Sequence, residues 1–213
     1  MSQTIPGPDG RPRCRWCSAA PEFLHYHDTE WGFPVADDHR LFEKLCLEGF
    51  QSGLSWRTIL AKRENFRAAF HRFDYHRIAR FTAADVERLL QDPGIVRHRG
   101  KIEAVVNNAL RAQEVVAQEG SLAAYVWRFE PAAGELAELQ TASTSPASFA
   151  MSKDLRKRGW AFIGPTTVHA FMQAMGLIND HAEGCAIRAE AERARQAFRR
   201  PAGGDPSGAT VPA

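Results

Sequence analysis

Two groups of residues carry the chemistry of this sequence. The first is a set of metal-ligand types. His181 and Cys185 stand four apart, close enough on one helical turn or one loop to reach a single ion. Near the other end, Cys14 and His27 supply two further donors, and Cys₂His₂ is a common closed, structural zinc set. Such a site would tie the two ends of the chain together. Cys17 forms a Cys-x-x-Cys pair with Cys14, which leaves it open as an alternative ligand; no strand-helix context around it supports a redox use. The second group is one carboxylate among aromatics. Glu48 follows Leu45 by three and Leu41 by seven, so a helix places it beside the buried stripe. Trp16, Phe23, Tyr26, Trp31, Phe50 and Trp56 crowd into the first quarter of the chain. Some of them must be core. A few converging on Glu48 would form a pocket that stacks a flat ring and hydrogen-bonds its edge, and electron-rich faces attract a cationic ring.

A third feature is a basic turn. Asp92-Pro93-Gly94-Ile95-Val96-Arg97-His98-Arg99-Gly100-Lys101 joins two helical stretches. Backbone N–H groups and a helix N-terminus can seat a phosphate there, with charge from Arg97, Arg99 and Lys101. A solvated basic turn is the competing account.

The elements that must position these residues read as helices. Asp37 or Asp38 can cap a helix through Leu41, Phe42, Leu45, Cys46 and Gly49. Residues 55–70 read as two short pieces. Thr82 with Asp85 resembles a capping box ahead of Val86, Leu89 and Leu90. Residues 101–117 place Ile102, Val105, Val106, Ala109, Leu110 and Val116 at helical spacing. Further helices are expected over 121–129, over 148–158 with Gly159 at its end, and from Pro165 to a stop at Gly176. Alternating strand patterns are nearly absent, so the fold class is all-α, built from many short helices.

Composition sets the outer limits. Of 213 residues, 44% are hydrophobic, enough for a sizeable core without disulfides. The net charge of +2 does not announce a nucleic-acid partner, so any such case rests on local patches. No apolar run approaches membrane-spanning length and no signal core precedes the domain. The expectation is a cytoplasmic chain whose cysteines are thiols or metal ligands. Residues 1–12 and the tail 187–213 are expected to be largely disordered, flanking one domain over 13–186.

Several segments, in order, then carry a resemblance: Arg13-Cys14-Arg15-Trp16, Tyr26-His27-Asp28-Thr29-Glu30-Trp31-Gly32, Leu47-Glu48-Gly49-Phe50-Gln51-Ser52-Gly53-Leu54-Ser55-Trp56, Ile95 through Ile102, and Gly176 through His181. Over residues 13–185 the chain resembles the constitutive bacterial 3-methyladenine DNA glycosylases, type I, of the helix-hairpin-helix glycosylase superfamily. The resemblance implies a monofunctional enzyme that flips out and hydrolytically excises 3-methyladenine from double-stranded DNA; the alternatives are a non-catalytic zinc-stabilised DNA-binding module and a related glycosylase for another alkylated base. It implies one structural zinc on Cys14, His27, His181 and Cys185, with Cys17 a bystander. It assigns Glu48 as the catalytic carboxylate and Trp16, Phe23, Tyr26, Trp31 and Trp56 as the base pocket. It gives the turn with Gly94, Arg97, Arg99, Gly100 and Lys101 a role at the DNA backbone. Leu54 becomes a candidate wedge for the vacated stack, against simple core packing. A monomer is expected. Two departures stand out: Phe23 replaces a tyrosine found in a relative, and the turn lacks the Gly-x-Gly of the wider superfamily.

Overall fold

The computed structural model describes residues 3–132, 135 and 139–202. A two-stranded antiparallel hairpin, β1 (Thr4–Pro6) and β2 (Pro12–Cys14), precedes eleven α-helices among the described residues. These are α1 (Pro21–Thr29), α2 (Asp38–Gln51), α3 (Trp56–Ala61), α4 (Arg63–Ala69), α5 (Tyr75–Ile78), α6 (Ala83–Leu90), α7 (Arg99–Glu119), α8 (Leu122–Trp127), α9 (Pro146–Lys157), α10 (Pro165–Ala174) and α11 (Arg188–Ala197). The all-α reading holds. No helix among them is long and apolar enough to cross a membrane.

Local chemistry starts the helices where the sequence indicated. The Asp37 carboxylate accepts the Arg40 N–H at 2.8 Å and so caps α2. The Thr82 N–H donates to Asp85 at 2.8 Å in the capping box of α6. α7 starts two residues earlier than expected, because the ring of His98 caps it by accepting the Lys101 N–H. α9 likewise begins at Pro146, where Ser145 and Ser148 exchange hydrogen bonds.

α2 is the centre of the molecule. Every residue from Leu41 to Phe50 is buried, and α3, α7, α8 and α10 pack around it. A helix buried on all sides must still house its charges, and α2 does so in pairs. The Arg67 guanidinium forks onto Glu43 at 2.7–3.0 Å, and Lys44 meets Glu48. The turn after α10 requires Gly176: its φ is +78°, and a Cβ there would lie 2.5 Å from the backbone at Phe33 and Pro34.

Two expectations need correction. Much of the stretch 1–12 is ordered, because Thr4 pairs with Cys14 and Ile5 with Arg13 across the hairpin. The stretch 187–213 contains α11, whose only apolar residues are alanines. Its order comes from partners: Ala191 is fully buried, Arg195 reaches Glu130 at 2.8 Å, and Glu190 meets Arg11 at 2.9 Å. Residues 203–213 of that expected tail lie outside the described residues.

Candidate active site and metal centre

Four donors converge below the hairpin. Cys14 ends β2, His27 lies in α1, and His181 and Cys185 lie in the loop before α11; all are buried, with ligand atoms within 4.8 Å of one another. His181 Nδ1 lies 3.1 Å from His27 Nε2. The sulfur of Cys14 is 3.7 Å from His181 Nδ1, and that of Cys185 is 3.6 Å from His27 Nε2 and 3.8 Å from His181 Nδ1. A tetrahedral zinc with ordinary bond lengths would set about 3.3 Å between nitrogens and about 3.6 Å between nitrogen and sulfur.

The outward sides of both rings fix their tautomers. His27 Nδ1 donates to Asp28 at 2.7 Å, and Arg13 holds that carboxylate at 2.9 and 3.0 Å. His181 Nε2 donates to the Trp31 carbonyl at 2.9 Å. The two inward nitrogens then face each other and the two sulfurs, an arrangement that suits a cation between them. The Cys185 thiol is pulled far below its ordinary range, first by the Cys14 thiol and then by the imidazoles. The Ala182 N–H adds a hydrogen bond to the Cys14 sulfur at 3.2 Å. The residues present thus fit a closed, four-ligand metal centre. Cys17, although buried, is outside the cluster.

The metal centre backs the aromatic pocket. Trp16 follows Cys14 by two, and its ring lies 5.3 Å from His27 and 5.1 Å from Trp31. Trp31 in turn meets the His181 ring at 4.7 Å. These indoles, with Tyr26 and Trp56, wall a cavity of about 390 Å³ that also exposes Lys44, Glu48 and Gln51, and on the other side Gln140, Gln173 and Asp180. The sequence-derived pocket is thereby assembled, with one exception. Phe23 is not on the cavity wall. It lies edge-on to Trp16 at 5.8 Å, in the core, and supports that indole from behind.

Lys44 is the residue that sequence reasoning missed. Its ammonium is buried 2.7 Å from Glu48 Oε1, 2.9 Å from the Tyr26 hydroxyl and 3.3 Å from the centre of the Trp56 ring. Burial pushes its pKa down, and Glu48 opposes that shift. Burial also raises the Tyr26 phenol, helped by the Glu48 charge. The Glu48 carboxylate, with Lys44 on Oε1, lines the cavity. A signal was present: Lys44 stands four residues before Glu48 on the same helix, a spacing at which the two can pair. The opposite wall was also missed. There Asp180 accepts the Gln140 N–H at 2.8 Å and Gln173 Nε2 at 2.6 Å.

The basic turn divides. Lys101 is corrected: it is buried, and its ammonium caps the end of α2 through the carbonyls of Phe50 at 2.8 Å and Ser52 at 2.5 Å, so it is not available to a phosphate. The Gly94 N–H is likewise taken, by Asp92 at 2.7 Å, and the Gly94 carbonyl is bound by Lys62 at 3.2 Å. What stays open is the other half. The N–H groups of Arg97, Arg99 and Gly100 have no acceptor among the described residues. The Arg97 side chain is exposed, while Arg99 is exposed but paired with Glu87 at 2.6 Å. Leu54 is 42% exposed in the turn that Gly53 makes at φ +78°, which sets aside core packing for it.

Comparison with known proteins follows the same lines. The family described as methyladenine glycosylase matches residues 16–189. The DNA-3-methyladenine glycosylase 1 of Escherichia coli (strain K12) is 50% identical over 178 residues, covering 81% of this chain and 95% of that protein. A crystal structure of 3-methyladenine DNA glycosylase I superposes with a TM-score of 0.75 at 50% identity, over 82% of this chain and 98% of that one. A structure reported for 3-methyladenine recognition by the Staphylococcus aureus enzyme superposes with a TM-score of 0.77 at 36% identity, over 83% and 96%. With its metal donors, its walled carboxylate and its fold all found together, the chain belongs to the methyladenine glycosylase family.

Proposed function

We propose that this protein is a DNA repair glycosylase that takes 3-methyladenine into the cavity and hydrolyses its N-glycosidic bond, leaving an abasic site. The observation that carries the reading is Glu48: a buried carboxylate with one oxygen held by Lys44, lining a cavity walled by indoles. Methylation at N3 places a positive charge on the adenine ring, so the base leaves without a strong acid. The electron pair of the C1′–N9 bond goes to the base and neutralises it; water adds to C1′ and releases a proton. The chain has to accept a flat cationic ring and refuse a neutral one. Aromatic faces contribute about 0.5–2 kcal/mol toward a cation. The Glu48 carboxylate accepts from the base edge, and the relatives named above are described as acting on or recognising this base.

The remaining parts follow from the same reading. Zinc is the metal held by Cys14, His27, His181 and Cys185. A site closed by four protein ligands supplies a cross-link and no activated water. α6 and α7 with the turn between them form the helix-hairpin-helix, which receives a phosphate of double-stranded DNA on the open N–H groups of Arg97, Arg99 and Gly100. The target nucleotide is flipped out of the stack, and Leu54 fills the gap. One chain completes the pocket, so a cytoplasmic monomer suffices.

The test is Glu48→Gln, which keeps the shape and changes charge and one acceptor. Excision of 3-methyladenine should slow about ten- to a hundred-fold, the scale of one charge-assisted hydrogen bond at roughly 1.5–3 kcal/mol. Duplex binding should be retained, and discrimination against adenine should fall. A folded, metal-replete variant that excises at the parent rate would leave Glu48 a structural role only.

A further inference from the structure

Phe162 is held in a costly conformation on the surface, beside the open start of α7. It is 41% exposed, whereas Trp160 and Ile163 around it are buried. Its φ is +55°, a left-handed backbone that a bulky L-residue rarely adopts. The peptide on each side is clamped from inside. Asn108, on α7, accepts the Ala161 N–H at 2.9 Å and donates to the Ala161 carbonyl at 3.0 Å. Ser152, on α9, donates to the Ile163 carbonyl at 2.7 Å. Both clamping side chains are buried. Such over-determination of a strained residue is typical of positions where the strain serves contact with a partner.

The neighbours say which partner. The Phe162 ring lies edge-on to His98, 6.3 Å between centres, at the cap of α7. A Cβ on Gly100 would lie 3.9 Å from its Cζ, and one on Gly49 would lie 3.3 Å from its carbonyl oxygen. Gly49 therefore lets this loop close onto the end of α2, and the Phe162 ring reaches ordinary contact range of the start of α7. Lys101 ties the same two ends together and fixes the turn that carries Leu54. Two exposed apolar side chains thus belong to segments joined to the start of α7: Phe162 beside Gly100, and Leu54 in the turn that Lys101 holds through Ser52. A flat ring at a phosphate seat fits a nucleobase better than a protein side chain, because every base offers a face to stack on.

We propose that Phe162 is a second DNA wedge: its ring stacks on a nucleobase exposed beside the flipped nucleotide. The inference rests on the reading of the α7 start as the DNA edge, and the experiment separates the two. The probe is a duplex with a tetrahydrofuran abasic analogue and 2-aminopurine next to it. The parent protein should quench the 2-aminopurine on binding. Phe162→Ala should bind this duplex roughly five- to a hundred-fold more weakly and should not quench, while its binding of free 3-methyladenine stays at the parent level. Phe162→Trp should restore both signals, and Phe162→Leu, which keeps apolar packing without a π-face, should restore neither fully. Arg97→Glu tests the underlying DNA edge alone. If it weakens duplex binding while Phe162→Ala binds and quenches like the parent, the wedge is wrong and the edge stands. If Arg97→Glu has no effect, the edge itself is wrong. Should Phe162→Ala unfold, equal binding and quenching by the parent and Phe162→Leu would overturn the stacking role.

Discussion

The metal centre and the start of α7 are both made of residues with strong hydrogen-bonding or ligating atoms, and they treat those atoms in opposite ways. At the metal centre the outward nitrogens of His27 and His181 are spent on Asp28 and the Trp31 carbonyl, and Arg13 steadies Asp28 in turn. Everything left over points inward at one place. At the start of α7 three N–H groups and the Arg97 side chain have no partner among the described residues. Buried polar atoms are satisfied or they cost stability, and exposed ones can wait on water. The first region gathers its donors at one place inside the chain. The second leaves its donors at the surface. Stability should therefore follow substitutions in the one, and DNA affinity those in the other.

The most severe way to break this contrast is at the ligands. His181→Ala with Cys185→Ala should abolish metal in elemental analysis. Structural zinc contributes about 10–16 kcal/mol in small zinc-finger peptides, comparable to the whole stability of a typical domain at about 5–15 kcal/mol. Loss of the cooperative melt is the expected outcome. Cys17→Ala should keep its metal, and zinc lost with Cys17 would reassign the site.

Lys101 sharpens the comparison, since by sequence it belongs to the basic turn and by structure to the interior. Lys101→Ala leaves the last carbonyls of α2 without their donor and should cost about 1.5–3 kcal/mol of stability in a urea melt. The salt dependence of duplex binding should not change. A change in salt slope with unchanged stability would return Lys101 to the DNA surface.

The smallest effects belong to the exposed arginines. Arg97→Ala should flatten the plot of log affinity against log salt by about one unit, as expected for one phosphate contact. Arg99→Ala should flatten it less, because Arg99 already faces Glu87 and Glu103. Neither should shift the melt. Equal slopes for parent and both variants would make the turn a merely solvated one.

What could be read from the sequence was what neighbours in the chain decide. Asp37, the Thr82–Asp85 pair and Pro165 mark helix starts by chemistry contained within a few residues. Glu48 and its ring of aromatics were legible as types, and the resemblance joined Cys14 and His27 to His181 and Cys185 across the chain. What escaped was decided at a distance. α11 has no apolar stripe and is held by Glu130. Three successive left-handed residues, His71, Arg72 and Phe73, have no local signature and are kept by burial of Phe73. Lys101 looks like any cation at a helix start until the end of α2 arrives beneath it. Phe23 counts as one aromatic among six until α1 turns it behind Trp16.

The span of the metal centre sets an order of events during synthesis. His27 and His181 are 154 residues apart. At about 5–20 residues per second, the ribosome needs roughly eight to thirty seconds to deliver the second half of the ligand set. Until then Cys14 and His27 are a half-site, and Trp31 lacks the imidazole it leans on. The base pocket, drawn mostly from early residues, is therefore completed by late ones. A nascent chain cut short before residue 181 has every indole and Glu48 but lacks His181 and Cys185, half of the donor set behind them.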